Sequence, residues 1–248
     1  MTERERARDD DEARAYYDDF SGWYERGRGR GYHAMLDDIE VEIARPFAEG
    51  GRILELGCGT GLILQRLAPL AREAVGIDVS PGMIAKARER GLDVRVGSVT
   101  DLDLDDDSFD LVYSFKVLAH VRDIERALSE AVRVTRPGGH LLLELYNPWS
   151  LRYLAKRVAR PGKISPHRTE AEMYTRWDSP RAVKRMLPFN VDLLGFRGVR
   201  VVTPAAYLHR VPALGPLLAR AERAAADSPL SYFGGFLIAV LEKHTVAP

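Results

Sequence analysis

The sequence has a single cysteine, no excess of either charge and no long apolar run. Cys58 is the only cysteine among 248 residues, so an internal disulfide is excluded, which is typical of reducing compartments. Lys plus Arg and Asp plus Glu each number 36, which gives a formal net charge of zero. Nucleic-acid-binding proteins usually carry a basic excess, so we expect no nucleic-acid partner. No run of about 18 uncharged apolar residues is present, which predicts no transmembrane segment.

The N-terminal region differs in composition from the rest of the chain. Residues 1–14 are dominated by charge and contain no apolar stretch of the secretory-signal kind, which predicts a cytoplasmic protein. Residues 16–47 are predicted as a helix, a glycine-rich turn and a second helix. Aromatic anchors beside glycine hinges are typical of gating segments. We therefore expect residues 1–47 to form a helical lid on a domain that spans residues 48–248.

Short apolar strands alternate with helices from residue 52 onwards. Strands are predicted over 52–56, 74–77, 94–96, 109–114, 140–145, 191–202 and 236–241, and helices over 62–70, 81–90, 124–134, 180–187 and, interrupted by proline, 207–226. Such alternation predicts an α/β fold whose parallel sheet is covered on both faces. The rhythm breaks twice, and we expect the insertions at 147–178 and 204–231 to cover a substrate, because long insertions in compact domains are usually functional or disordered.

A glycine-rich turn joins the first predicted strand to the first predicted helix of this domain. Gly57, Gly59 and Gly61 permit a tight turn and let a ligand approach the backbone closely. In the dinucleotide-binding fingerprint the third glycine falls one position later, where this chain has Leu62. An NAD-dependent oxidoreductase stays an alternative, but this spacing disfavours it.

Two further segments follow strand ends and complete a candidate ligand site. Asp78 comes directly after the second strand, where a carboxylate can accept hydrogen bonds from both hydroxyls of a ribose. The segment from Ser98 to Thr100 follows the third strand. The carboxyl ends of parallel strands meet at one edge of the sheet, so we expect these residues to surround one ligand.

Taken together, these motifs resemble the class I S-adenosylmethionine-dependent methyltransferases, in particular the ubiquinone and menaquinone biosynthesis branch. The likeness extends from about Tyr16 to Tyr146. Glu55 to Gly61 are similar to the family's first motif, and Asp78 matches its ribose-binding acid. The resemblance implies a Rossmann-like, seven-stranded, mostly parallel sheet with a reversed last strand. It implies S-adenosylmethionine as cofactor, with transfer of its methyl group to an O, N or C atom of a small-molecule acceptor.

The resemblance also implies which residues hold the cofactor. These are Tyr24, Glu55, Gly57, Cys58, Gly59, Thr60, Gly61, Asp78, Val79, Met83, Ser98, Val99, Thr100 and Phe115. Val79 and Met83 match positions that pack against adenine, and Tyr24 belongs with Tyr17 to an aromatic pair. Ser98 stands where the family often has an Asp that reads the adenine amino group. We expect that contact to pass to backbone atoms or to Asp101.

His120 is the predicted catalytic residue. It follows the fourth strand, so it is expected to face the cleft, and an imidazole suits proton transfer near neutral pH. The alternative is a histidine that caps or packs the following helix. The sequence indicates no metal-binding cluster. A catalytic role for Cys58 is disfavoured, because the cysteine matches a position that lines the cofactor turn.

Two questions stay open at the level of sequence. A segment without acidic residues contains Arg152, Lys156, Arg157, Arg160, Lys163, His167 and Arg168. It is either a solvated helix face or a site for an anionic or lipophilic acceptor or a membrane surface, which would make peripheral membrane contact possible. A non-catalytic protein that binds the cofactor with this fold is the second alternative to an enzyme, because fold alone does not fix function.

Overall fold

Seven strands form one sheet in the order β3-β2-β1-β4-β5-β7-β6 in a computed structural model that describes residues 1–26, 28–158 and 173–245. The strands are β1 (Arg52–Leu56), β2 (Glu73–Asp78), β3 (Asp93–Val96), β4 (Phe109–Ser114), β5 (Thr135–Tyr146), β6 (Val191–Val199) and β7 (Phe236–Lys243). Strands β1 to β5 pair in parallel, whereas β7 runs antiparallel to both β5 and β6. The predicted sheet with a reversed last strand is confirmed.

Eight α-helices surround this sheet in the described parts of the chain. They are α1 (Glu3–Ser21), α2 (Gly31–Ala48), α3 (Leu64–Leu67), α4 (Pro81–Glu89), α5 (Ile124–Val134), α6 (Leu151–Val158), α7 (Pro180–Met186) and α8 (Leu214–Ala226). Single 3₁₀ turns occur at Ala68–Leu70, Leu118–His120, Ala206–Arg210 and Pro229–Phe233. None of the helices described is long and apolar enough to cross a bilayer.

The sheet is buried on both faces because its strands are apolar at consecutive positions. Ile53 packs into the core with α2 and α3, while its neighbour Leu54 packs into the opposite core with α5. Leu111 and Val112 divide in the same way in β4. Strands of this kind require helices on both sides, as the alternation of elements predicted. The loops at the strand ends are consequently fixed to a rigid layer.

Three predicted boundaries are wrong for identifiable reasons. The helix predicted over 62–70 is an α-helix only at Leu64–Leu67 and continues as a 3₁₀ turn, because Pro69 has no backbone N–H to donate. The stretch 207–226 is divided at Pro212 into a 3₁₀ turn and α8. Strand β5 begins at Thr135, five residues before its predicted start at 140, since its pairing with β4 continues across a register shift.

Candidate functional site

A cavity of about 530 Å³ lies at the carboxyl ends of the central strands. The loops after the first four strands contribute Gly57, Val79, Thr100 and Phe115 to its wall, and Tyr146 at the end of β5 closes one side. Open α/β sheets bind ligands at this edge, where the strand order reverses. The volume is in the range of small-molecule and cofactor sites.

The glycine turn after β1 has a backbone conformation that its sequence requires. Gly57 has φ = +73°, and a Cβ there would lie 2.3 Å from a methyl group of Val117. Gly61 has φ = +79°, and a Cβ there would lie 2.4 Å from Leu92. Both positions therefore need glycine for conformation and for packing. The turn is held against β2, since the amides of Gly57 and Cys58 donate to the Ile77 carbonyl at 2.7 and 3.0 Å.

Asp78 both holds the glycine turn and faces the cavity. One carboxylate oxygen accepts from the Gly59 amide at 2.8 Å, and the other accepts from the Ser80 amide at 2.9 Å. A carboxylate has about four lone-pair positions, so each oxygen retains acceptor capacity toward a ligand. Burial raises the pKa of Asp78, although the two backbone hydrogen bonds oppose the rise. The side chain is thus a buried acceptor placed for donors such as ribose hydroxyls.

Most residues predicted from the family resemblance line this cavity. They are Tyr24, Gly57, Gly59, Asp78, Val79, Met83, Val99, Thr100, Phe115 and the predicted base His120. Glu55 and Cys58 line a smaller cavity that adjoins the first at Gly57. Thr60, Gly61 and Ser98 lie behind the wall: Thr60 is fully buried, and Gly61 packs on α4 through Ala87. The cofactor roles assigned to all these residues stay predictions.

Ser98 has a partner that the sequence did not indicate. Its hydroxyl is hydrogen-bonded to that of Thr100 at 2.9 Å, and it lies near the carboxylate of Asp10, which comes from α1 and whose pKa it lowers. Asp10 lines the cavity, whereas the exposed Asp101 does not. The structure therefore places a carboxylate beside the position where the family often has Asp, but that carboxylate comes from the N-terminal helix. Burial raises the pKa of Asp10.

Glu55 and Cys58 are buried in surroundings that suit neither proton transfer by the carboxyl group nor nucleophilic attack by the thiol. Burial raises the pKa of Glu55 well above its usual value, and the Tyr113 hydroxyl donates to its carboxyl group at 3.3 Å. Burial likewise raises the pKa of the Cys58 thiol, whose sulfur packs against Gly76 and Leu64. A buried thiol of raised pKa is a poor nucleophile, as the sequence argument expected.

A cluster of buried charges supports the wall between the two cavities. Lys116 Nζ donates to Asp37 at 2.8 Å and to Glu40 at 2.7 Å, and Arg28 lies 3.8 Å from Asp37. Burial opposes the charge of Lys116, but Glu40 and Asp37 outweigh it and hold the pKa above its usual value. The buried Glu144 belongs to the same cluster, because its carboxyl group accepts from the Lys116 amide at 3.0 Å. Lys116 and Arg28 are thus ion-paired within the protein, and no local sequence pattern indicates this cluster.

His120 lies at the end of a 3₁₀ turn and is held at both ring nitrogens. Its Nδ1 is 2.8 Å from the Tyr174 carbonyl, a pure acceptor, so Nδ1 carries the proton and Nε2 is the basic nitrogen. Nε2 is 3.3 Å from the Tyr146 hydroxyl, which can donate to it. The ring lines the cavity, so the predicted direction of His120 is correct. Its tautomer is the one that can accept a proton from the cavity side.

Helix α1 covers one side of the cavity and is docked mainly by polar contacts. Asp18 accepts from the Gly82 amide at 2.8 Å and from the Ser80 hydroxyl at the start of α4. Ion pairs join Arg6 to Asp123 at 3.3 Å and Arg122 to Asp9 at 3.1 Å. Tyr16 is the only residue of α1 that is fully buried. The helix is consequently attached to the domain by few apolar contacts.

The opposite wall, called here the acceptor end, consists of Tyr32, Tyr146, Arg152, Arg200 and Phe236. These residues come from α2, from β5 and the helix after it, and from β7 and the residue after β6. Arg152 was predicted only as part of a general basic segment, and no role was predicted for the other four. No local motif could have found them, because distant segments meet there only in the folded chain.

The described part of the basic segment is divided between an exposed face of α6 and the cavity wall, so a solvated face and an acceptor site both stay open for the segment. Arg157 is exposed on α6, but Arg152 is only 6% exposed and lines the cavity together with Lys156. Arg160, Lys163, His167 and Arg168 lie outside the described residues. Within the parts of the chain that the structure describes, no group of three or more His, Cys, Asp or Glu side chains is placed to hold a metal ion.

Comparison with known proteins gives this arrangement a family context. Residues 54–143 match the model of a methyltransferase domain. A probable S-adenosylmethionine-dependent methyltransferase of Mycolicibacterium smegmatis is 38% identical over 100 residues, which are 40% of this chain and 39% of that protein. A ubiquinone biosynthesis O-methyltransferase of Xanthomonas oryzae pv. oryzae is 34% identical over 134 residues, or 50% of this chain and 56% of that protein. The chain thus spans about half or less of the length of these curated relatives.

A solved structure extends the likeness to nearly the whole chain. A SAM-dependent methyltransferase of Thermotoga maritima, described as a possible histamine N-methyltransferase, superposes with a TM-score of 0.66 at 21% identity. The superposition covers 92% of this chain and 98% of that one. At this identity the likeness shows the fold alone, and it confirms the predicted class I arrangement.

Proposed function

Residues 54–143 match the model of a methyltransferase domain, and from that premise we propose that the chain is an S-adenosylmethionine-dependent methyltransferase of a small molecule. The observation that carries the proposal is the joint position of the glycine turn and Asp78. Both face one cavity at the strand ends, in the order that the family motif requires. An NAD-dependent oxidoreductase has no observation in its favour. A non-catalytic protein that binds the cofactor with this fold is distinguished from an enzyme by the transfer experiment described for this site.

The described residues fit such a cofactor at its polar and apolar positions. Asp78 offers two buried oxygens with remaining acceptor capacity for ribose hydroxyls, and Val79 and Met83 provide an apolar wall for adenine. Asp10 lies beside Ser98 and is placed to accept from the adenine amino group. Aromatic rings of Tyr24 and Phe115 close the remaining side. The bound cofactor would supply an activated methyl group.

The chain's own contribution to the reaction is mainly positioning. Aligning two bound reactants can lower a barrier by roughly 7–11 kcal/mol in favourable cases. His120 is fixed by the Tyr174 carbonyl with Nε2 unprotonated, so it can accept a proton from the acceptor as the new bond forms. Tyr146 shares a hydrogen bond with that nitrogen and can relay the proton. Because an activated methyl group needs no covalent intermediate, no protein nucleophile is assigned.

The N-terminal helix α1 is proposed to act as a lid on the cofactor. It contributes Asp10, Tyr16, Tyr17 and Phe20 to the cavity wall, and its few apolar contacts favour reversible docking.

The aromatic walls of the acceptor end favour an acceptor with an apolar body over a polynucleotide. The single cysteine suits a cytoplasmic location.

Calorimetry with S-adenosylmethionine and S-adenosylhomocysteine tests the cofactor assignment, and NAD serves as the matched control. We expect micromolar binding of both sulfur compounds, about −8 kcal/mol, and none of NAD. A screen for transfer of labelled methyl from the cofactor to a metabolite extract then tests the activity. Binding of NAD alone would support the oxidoreductase. Cofactor binding without transfer to any extract component would support the non-catalytic alternative.

A further inference from the structure

The two arginines of the acceptor end lie side by side in the cavity wall. Both side chains pack against Gly235, where an added Cβ would be 3.0 Å from Cβ of Arg152 and 3.4 Å from Cδ of Arg200. Both also interact with Tyr32, and each guanidinium affects the charge of the other. Two like charges in one wall repel each other, so holding both arginines there has a free-energy cost that a bound anion would offset.

Arg152 is a buried cation that forms no ion pair with any residue that the structure describes, although its charge affects the buried carboxyl group of Glu144. Its guanidinium carbon lies 4.1 Å from the ring centre of Tyr146, 4.7 Å from that of Phe236 and 4.9 Å from that of Trp177. The aromatic faces stabilise the charge, but they provide no hydrogen-bond acceptor in the plane of the guanidinium. Nη1 is buried and has no hydrogen-bond partner. A buried donor left in this state is costly unless a ligand satisfies it.

Arg200 is held beside Arg152 by a strained backbone. It has φ = +58°, which is unfavourable for a long side chain, and its Nη2 donates to the Pro204 carbonyl at 3.2 Å. Glu222 is the carboxylate whose charge raises the pKa of Arg200. Its oxygens, however, already accept from the amides of Val201, Val202 and Thr203. Among the described residues no carboxylate forms an ion pair with Arg152 or Arg200.

Lys116 and Arg28, two other cations in the cavity wall, form ion pairs with Asp37 and Glu40. Arg152 and Arg200 face the same cavity but form no ion pair with a residue that the structure describes. The buried Glu144 and Glu222 interact with their charges only from beyond ion-pair distance. The imbalance is local, because the chain as a whole is neutral. An anion from outside would restore the balance, and the planar guanidinium matches an oxyanion such as a carboxylate in two parallel hydrogen bonds.

We propose that Arg152 and Arg200 form an oxyanion subsite, and that the methyl acceptor is a small acid held there by its carboxylate or a similar group. This assignment rests on the proposed methyltransferase function. Tyr146 links the subsite to the reaction centre, since Arg152 lies over its ring and its hydroxyl contacts His120. We therefore expect an acid whose carboxylate binds Arg152 to extend along the Tyr146 ring, so that the opposite end of the acid lies near His120.

Binding of a model acid tests the subsite without knowledge of the acceptor. The full chain, with and without S-adenosylhomocysteine, is titrated with benzoate and with its neutral analogue benzamide in ligand-observed NMR. We expect benzoate to bind at least ten times more tightly than benzamide. Arg152→Gln and, separately, Arg200→Gln should remove that preference, and Arg152→Lys should restore only part of it, because lysine lacks the planar fork.

Arg197→Gln is the matched control, because Arg197 lies nearby on β6 and is paired with Asp227 at 2.9 Å. It should leave the benzoate preference unchanged, and thermal unfolding of each variant checks that the fold is kept. Equal binding of benzoate and benzamide by the unaltered chain overturns the subsite, as does a preference that survives in both folded Gln variants. Affinity for S-adenosylhomocysteine is measured on the same samples. Its absence would overturn the methyltransferase proposal alone.

Discussion

The two ends of the cavity differ in how far apart their residues lie in the sequence. The cofactor end is local in sequence: Gly57 and Asp78 each follow directly on a strand of the rigid sheet. The acceptor end assembles Tyr32, Arg152 and Arg200 from segments more than a hundred residues apart at the extremes. Charge differs too, since Lys116 and Arg28 are ion-paired, whereas Arg152 and Arg200 form no ion pair with a residue that the structure describes. In the proposed function the first end would hold the cofactor and the second would select the acceptor.

Removal of α1 should have the largest effect, because this helix contributes to the cofactor end from outside the sheet. Deleting residues 1–21 is expected to abolish turnover and to raise the dissociation constant of S-adenosylmethionine, while the core stays folded. Calorimetry, circular dichroism and labelled-methyl transfer measure the three properties. Arg8→Gln is the control, since Arg8 pairs only with Glu12 on the outer surface of α1. Full activity of the truncated chain would rule out a lid.

His120→Ala tests whether catalysis depends on a base between the two ends. We expect kcat to fall by about 10²–10⁴, with cofactor affinity changed by no more than a factor of a few. The rate of the unaltered enzyme should rise with pH as the imidazole loses its proton, and the variant should lack this rise. His140→Ala is a suitable control, because His140 packs on Phe47 away from the cavity. A variant with normal kcat would mean that His120 is not a general base and that alignment of cofactor and acceptor alone explains catalysis.

Asp78→Ala should have the smallest of these effects and should be confined to the cofactor end. Loss of hydrogen bonds to a charged acceptor is expected to weaken cofactor binding by about 1–3 kcal/mol. Burial raises the pKa of Asp78, so protonation on acidification should weaken cofactor binding of the unaltered protein at a higher pH than for an exposed Asp. Asp101→Ala, at an exposed position outside the cavity, is the control. Calorimetry that finds equal affinity for Asp78→Ala would remove this residue from the site.

The same contrast explains how much the sequence could predict. Strand β1 and the start of α7 were predicted to the residue, since apolar runs, Ser179 as N-cap and Pro180 are local signals. The positions of Asp78 and His120 followed from their places after strands. Arg152 could not be separated from an ordinary basic helix face, because its burial depends on three rings supplied by other segments.

Asp10 illustrates a subtler failure of prediction. Ser98 indicated correctly that the usual acid was missing from its loop, and the nearby Asp101 was considered as its replacement. The structure instead places Asp10 from α1 beside Ser98, at a sequence separation that no motif spans. A carboxylate at this part of the cavity therefore comes from an element that packs on the loop, and not from the loop itself.

The position of Asp10 in the cavity wall has a thermodynamic consequence. If the cofactor touches a group carried by α1, then docking of the helix and binding of the cofactor are linked equilibria, and each must favour the other by the same factor. Amide hydrogen exchange in residues 3–21 should slow when the cofactor binds, to the same extent that docking tightens binding. Salt weakens ion pairs such as that of Arg122 with Asp9, so it should lower cofactor affinity by weakening the docking of α1. The measured binding constant of the cofactor then includes the free energy of docking the N-terminal helix.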